Sequence, residues 1–361
     1  VLMKTKTLTV FLLLLLVLMH SPGEVTANDS ADTLYLPLVC NENNQARVMT
    51  RNLYFGADLA AINAAPDVPT FIAAITQAYI DAMATDFPGR AEAIAGEIAA
   101  TEPHLVGLQE ATLWRTGPHS DPAPATKVEA DFVQLILDEL DGKYEVVAAQ
   151  TGFDAETPSG AGVDVRLTIQ DVLLVRTELP PADLALSNKQ TGSFATQLML
   201  NSPIGTLPFP RQWVAVDAKM RGKEFRVITT HLEPAAQPIR VAQAQELLSG
   251  PASTTLPTIL IGDINAQPSD AGDAAATLIS AGFTDMGSVV RPTDSGFTCC
   301  QATDLRNPVS TVDQRIDLVL MRNGPDVVHA QLVGDSPINL VPSGVRWASD
   351  HSGVMAAIEL P

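Results

Sequence analysis

Cysteine is scarce in this chain, with three among 361 residues. That excludes a disulfide-stapled scaffold and a four-cysteine zinc site. Cations are scarce too: 22 Lys and Arg stand against 41 Asp and Glu, for a net charge of −19. The balance argues against a protein that holds nucleic acid by neutralising many phosphates. It leaves room for an enzyme that cuts nucleic acid with a metal in a local basic groove. No segment repeats with a period of about 20–50 residues, so the chain is not a solenoid. No low-complexity linker divides it. Hydrophobic residues make up 46%, enough for a sizeable core and too many for wholesale disorder.

The apolar run from Leu8 to Met19 falls short of the ~20 residues a bilayer span needs. Lys4 and Lys6 precede it, and Ser21-Pro22-Gly23 and Val25-Thr26-Ala27 follow. This pattern predicts a signal peptide over residues 1–27 and an exported protein, secreted or periplasmic. An uncleaved membrane anchor is the alternative. Residues 28–45 are mostly polar and read as a leader, which places the folded domain at 46–361. Export makes disulfides permissible. Cys299 and Cys300 are neighbours, and neighbouring Cα atoms sit ~3.8 Å apart. A disulfide usually spans ~4.4–6.8 Å, so a vicinal bridge is disfavoured by geometry. Three states stay open: that bridge, one from Cys40 to either partner, or three free thiols.

Apolar spacing predicts helices over Pro69 to Phe87, Gly89 to Ala100, Val128 to Leu140, Ile239 to Leu248 and 268–282. Strands are predicted at RVMTRNLYFG from Arg47, HLVGLQEA (104–111), YEVVAAQ and RLTIQDVLLVR (166–176). HLVGLQEA is nearly all apolar, as in a strand buried on both faces. WVAVDAKM and EFRVITTHLE flank Arg221-Gly222-Lys223 and read as a hairpin. PTILIGDIN (257–265), RIDLVLMR, DVVHAQLVG and GVMAAIEL complete the strands. Residues 116–125, 151–164 and most of 283–312 read as loops, and 178–212 carries no clear pattern. Such an order predicts one α/β domain, a mixed two-sheet sandwich with helices outside.

The polar residues fall in one recurring context. Apolar runs end in Asn52, in Gln109-Glu110, in His231, and in Asp263 and Asn265. Asp317 lies inside RIDLVL, and Asp350-His351 precede GVMAAIEL. An unpaired carboxylate inside a sheet is costly. Acids placed repeatedly at strand ends therefore predict one polar site at one rim of the sheets.

In their order, RVMTRNLYFG, LVGLQEA, ITTHLEP, LIGDINAQP, RIDLVL and ASDHSGV resemble the motifs of the endonuclease/exonuclease/phosphatase superfamily. The resemblance spans about 47–360. It implies a four-layered α/β sandwich of the deoxyribonuclease I type, and divalent-metal-dependent hydrolysis of phosphoesters, with Mg²⁺ (or Mn²⁺ or Ca²⁺) as cofactor. By the same resemblance Glu110, Asn52 and Asp350 form the metal site. Asp263 is the acid that orients or deprotonates the attacking water, and Asn265 its phosphate-binding neighbour. His351 faces the scissile phosphate and Asp317 holds its imidazole. His231 matches the second histidine of the deoxyribonuclease and sphingomyelinase branches, and its acid partner is open, with Asp171 as a candidate.

These readings share a phosphodiester substrate, nucleic acid or phospholipid, for a monomer with no stable protein partner. A phosphomonoesterase on small soluble phosphates, and a non-catalytic binding protein on the same fold, are the alternatives. Arg51, Arg115, Arg166, Arg211, Arg240 and Arg315 are the candidates for a local basic groove. Residues 197–213 carry Leu, Met, Phe and Trp that either dip into a lipid interface or pack as an ordinary loop.

Overall fold

The computed structural model describes residues 45–290, 293–324, 327–338 and 341–360. The expected signal peptide, Cys40 and all but the last residue of the expected leader lie outside these residues. The fold begins with β1 (Gln45–Asn52), followed by α1 (Ala60–Asn63), α2 (Val68–Ala84) and α3 (Phe87–Thr101). Next come β2 (Leu105–Pro118), β3 (Lys127–Asp131), α4 (Phe132–Glu139), β4 (Tyr144–Pro158) and β5 (Val163–Arg176). The second half runs through β6 (Leu184–Ser193), β7 (Leu198–Ser202), β8 (Gly205–Phe209), β9 (Gln212–Met220) and β10 (Lys223–His231). It continues with α5 (Gln237–Ser249), β11 (Thr258–Asp263), α6 (Ala274–Ser280), β12 (Thr284–Asp285) and α7 (Met286–Val290). The last strands are β13 (Asp317–Arg322), β14 (Val327–Val333) and β15 (Gly353–Glu359).

One sheet has the order β14-β15-β1-β2-β5-β4, with β3 beside β2. The other has the order β12-β13-β11-β10-β9-β6. Alternate residues of each strand point to opposite faces, and the packing follows that parity. Val48, Leu105, Val227, Ile259 and Ile261 meet in the core between the sheets. Their neighbours Met49 and Val106 pack outward under α2, α3 and α4. Ile228 and Leu260 pack outward under α5 and α6. Burial on both faces is why these strands read as unbroken apolar runs. The result is the four-layered sandwich expected from the sequence.

The helices α2 and α3 begin where capping residues stand. Asp67 accepts a hydrogen bond from the Thr70 N–H, 2.8 Å away, and Pro69 sits in the first turn of α2. Asp86 and Pro88 do the same for α3.

Four sequence expectations are corrected. Residues 151–158 are strand, because β4 runs on beside β5 as far as Pro158 paired with Asp164. The stretch 178–212 holds β6 and the β7–β8 hairpin rather than irregular chain. Their faces are polar or half-exposed, so the alternation that marks a strand is weak there. The helix expected at 268–282 is only α6, and that expected from Val128 starts at Phe132 after a short strand.

Candidate active site

Strand register brings the candidate residues level with one another, through parallel pairing of β10 with β11 and antiparallel pairing of β11 with β13. In β10, β11 and β13, His231 pairs with Asp263 and Asp263 with Asp317, a row across three adjacent strands. In the other sheet Asn52, the last residue of β1, pairs with Gln109 within β2. The two rows meet where Asn52 Nδ2 donates to Asp263 Oδ2 at 3.1 Å. Beneath them Gln109 spans the sheets: it accepts from Thr50 Oγ1 and donates to Thr229 Oγ1, both at 2.9 Å. The sheets approach closely here, and a Cβ on Gly107 would collide with Thr229.

Local backbone explains the aim of each side chain. Glu110 sits at φ +52° where β2 breaks register with β5 between Leu108 and Ala111. Such a bulge re-aims one side chain, and Glu110 Oε2 turns to accept from the Phe55 N–H at 2.8 Å. Gly262 precedes Asp263 because a Cβ there would strike the Thr230 carbonyl. Asn265, at φ +52°, points its N–H back to Asp263 Oδ1 at 2.9 Å. Its Nδ2 donates to the Leu232 carbonyl, 2.9 Å away.

His351 stands before β15, with Nδ1 2.7 Å from Asp317 Oδ2 and 3.9 Å from Asp263 Oδ2. Its Nε2 lies 3.9 Å from Asp350 Oδ1. Burial alone would push this imidazole down, but Asp317, Asp350 and Asp263 outweigh it and hold His351 protonated, well above the usual histidine range. Burial, then the Asp317 charge, pushes Asp263 up to about 7. A carboxylate titrating near neutrality is suited to take a proton from water.

His231 meets a cation at one ring nitrogen and an acid, Asp263 rather than the candidate Asp171, at the other. Arg211 Nη1 lies 3.2 Å from its Nδ1, so Nδ1 accepts and the ring proton sits on Nε2, facing Asp263 Oδ2 at 3.5 Å. Burial and the Arg211 charge hold His231 well below its ordinary value, so it is neutral. Asp171 is fully buried, with the backbone N–H of His231 beside its carboxylate. Burial raises it well above the usual carboxylate range.

Glu110 and Asp350 are both raised, each by burial first, and Asp350 raises Glu110 further. Two desolvated carboxylates that repel one another, both hard oxygen donors, fit a divalent cation such as Mg²⁺. Asn52 Oδ1 accepts from the Tyr54 N–H at 2.9 Å and keeps one lone pair. A tighter group, Asp263, Asp317 and His351, has ligand atoms within 4.8 Å of one another. Its imidazole is already bound to a carboxylate, which makes it a proton-holding cluster.

Four further participants emerge: Arg90, which the sequence reading did not single out, Arg51 and Arg211, which it assigned to a basic groove, and the vicinal cysteine bridge, which it left open as one of three states. Arg90 is fully buried in α3 and donates to the Leu53, Tyr54 and Ala348 carbonyls, fixing both loops of the site. Arg51 pairs with Glu97 and donates to the His351 carbonyl. Arg211 is the third. The fourth is the pair Cys299 and Cys300, joined as a vicinal disulfide, with Cys300 Sγ 3.9 Å from His351 Nε2. Each of the six candidates for a basic groove has a carboxylate partner. Arg51 pairs with Glu97, Arg115 and Arg166 with Asp154, Arg211 with Glu233, Arg240 with Asp273, and Arg315 with Asp285.

A sandwich that collects acids, amides and histidines at the strand ends of both sheets is the frame of a phosphoester hydrolase. The sequence profile of the Endonuclease/Exonuclease/phosphatase family matches residues 82–351, and the chain belongs to that family. It is therefore a phosphoesterase of a divalent-metal-dependent class. Among curated proteins, none matches its sequence. The fold is similar to an endonuclease/exonuclease/phosphatase family protein from Bacteroides thetaiotaomicron, at TM-score 0.58 and 15% identity over 88% of this chain and 98% of that one. It is also similar to a mannosyl-6-phosphatase from the same organism, at TM-score 0.56 and 16% identity, covering 87% and 99%. A truncated TDP2 from Caenorhabditis elegans matches at TM-score 0.51 and 15% identity, covering 87% and 97%.

Proposed function

We propose that this protein hydrolyses a phosphodiester by in-line attack of water, with Asp263 as the base. The observation that carries the reading is the linked set Asn52–Asp263 at 3.1 Å and His351–Asp317 at 2.7 Å, drawn from both sheets. Asp263 Oδ1 is held by the Asn265 N–H and Oδ2 by Asn52, so the carboxylate is fixed in direction. It takes the proton of the attacking water. His351, held protonated through Nδ1 by Asp317, presents Nε2–H to the phosphate oxygens and stabilises the charge that builds on them. Neutral His231 offers a second donor beside Asp263, and Asn265 lies next to the same phosphate position. Glu110 and Asp350, with Asn52, would hold the divalent cation. When bound it neutralises the anionic phosphate and stabilises the transition state.

The substrate is a small or amphiphilic phosphoester rather than a long polynucleotide. The six arginine–carboxylate pairs support this, because each cation that would track a nucleic-acid backbone already faces an acid. A monoester of a sugar is the second reading, favoured by the same pairing; one fold neighbour is a mannosyl-6-phosphatase.

The test is a panel of bis(4-nitrophenyl) phosphate, 4-nitrophenyl phosphate, plasmid DNA, sphingomyelin and sugar phosphates, with Mg²⁺ and with chelator. Chelator-sensitive cleavage of the diester is expected. Cleavage of monoesters alone would replace the first reading with the second.

A further inference from the structure

A cavity of about 210 Å³ opens between the outer face of β2, β4 and β5, the helix α2 and the β7–β8 hairpin. Phe71, Ile75, Trp114, Phe153, Leu200 and Phe209 are among the residues of its wall. Engineered apolar cavities of about 150 Å³ hold benzene, so this one has room for a phenyl ring or a short alkyl chain.

Two short relays join this wall to the catalytic residues. Trp114 Nε1 donates to the Phe55 carbonyl at 3.2 Å, and the Phe55 N–H donates to Glu110 at 2.8 Å. On the other side the Phe153 and Phe209 rings lie 4.9 Å apart, and the Arg211 guanidinium sits 5.0 Å from the Phe209 ring. Arg211 in turn holds His231. The cavity thus lies one residue removed from both the metal-site carboxylate and the second histidine.

Its chemistry selects an uncharged occupant. No lysine or arginine lines it. The one carboxylate, Glu156, is engaged by the Ala125 N–H at 2.8 Å. A nucleotide chain carries a charge on each phosphate and finds no counter-charge here.

We propose that this cavity is a subsite for an apolar substituent on the phosphoester, a phenyl ring or short alkyl chain, while the phosphate lies at Asp263 and His351. The proposal rests on the phosphoesterase reading and adds the class of group the phosphate carries.

The test measures binding of methyl-, butyl- and hexylphosphonate to the full chain with Mg²⁺ by calorimetry, which needs no turnover. Affinity should rise about fourfold per methylene as apolar surface leaves water. Ala155→Phe, which fills the cavity from β4, should flatten the series and leave methylphosphonate binding unchanged. Leu200→Ser on the hairpin is the second variant and should weaken hexylphosphonate selectively. A flat series in the wild type, a series unaltered in both variants, or tighter binding of thymidine monophosphate than of hexylphosphonate would overturn the proposal. Failure of the wild type to cleave any ester in the panel would overturn the phosphoesterase reading instead, since the alkyl series reads the cavity separately.

Discussion

Asp317 Oδ2 lies 2.7 Å from His351 Nδ1, while the other oxygen of the same carboxylate is buried with no hydrogen-bond partner. The acid is thus committed to one imidazole. Asp317→Asn keeps the shape and removes the charge that holds His351 protonated. It should lower kcat on a diester by roughly 10²-fold or more with an unchanged melting curve. A variant of near wild-type rate would remove His351 from the mechanism.

Asp350→Asn removes one of the two raised carboxylates proposed to hold the divalent cation. The concentration of Mg²⁺ giving half-maximal activity should rise by roughly tenfold or more, because ligand charge sets cation affinity. Direct Mn²⁺ titration by calorimetry should show the same shift. Equal affinity in variant and wild type would place the cation elsewhere.

Arg90 donates to three carbonyls and to Thr85 Oγ1 from a fully buried position. Arg90→Leu leaves these acceptors unpaired. The expected loss is about 3 kcal/mol or more in urea unfolding, at roughly 1–3 kcal/mol per unsatisfied buried group. A loss below about 1 kcal/mol would mean that water replaces the guanidinium.

His104 Nδ1 accepts from the Arg47 N–H at 3.0 Å, which only a neutral ring can do. Burial, then the Arg47 charge, lowers this histidine to about 4. The folded value is depressed below the unfolded one, near 6.5. Its contribution to stability is therefore full above about pH 6.5 and declines as pH falls toward 4. Between pH 7.5 and 4.5 that loss is roughly 2 kcal/mol. Urea unfolding of His104→Gln should show a shallower acid decline than the wild type; identical slopes would count against the assignment.

The rim of the sheets was legible because acids at the ends of apolar runs are expensive unless they serve a purpose. Asp263, Asp317 and His231 could be grouped from that cost alone, and the register puts them in one row. Arg90 was not legible, since an arginine in a helix reads as a solvated charge until the loops packed over it are known. Nor was Arg211 as the partner of His231, because nothing in the chain between Gln190 and Trp213 marks which side chain turns inward. Cys300 reaches His351 across 51 positions of sequence, and no local pattern carries that contact. The β7–β8 hairpin was half read. Its Leu200 and Phe209 pack inward as in an ordinary loop, while Met199 and Ile204 remain 50% and 55% exposed.

Asn52 meets Asp263 across 211 positions, and Arg51 meets the His351 carbonyl across 300. Contacts of such separation form late, since the loop between them must be closed first. Neither sheet alone carries a working fraction of the proposed site, because Asp263, the proposed base, comes from one and Asn52, the amide that directs it, from the other. Catalytic competence is therefore a property of the completed chain: a nascent or half-refolded molecule is silent, and the first turnover marks the moment at which its two halves have met.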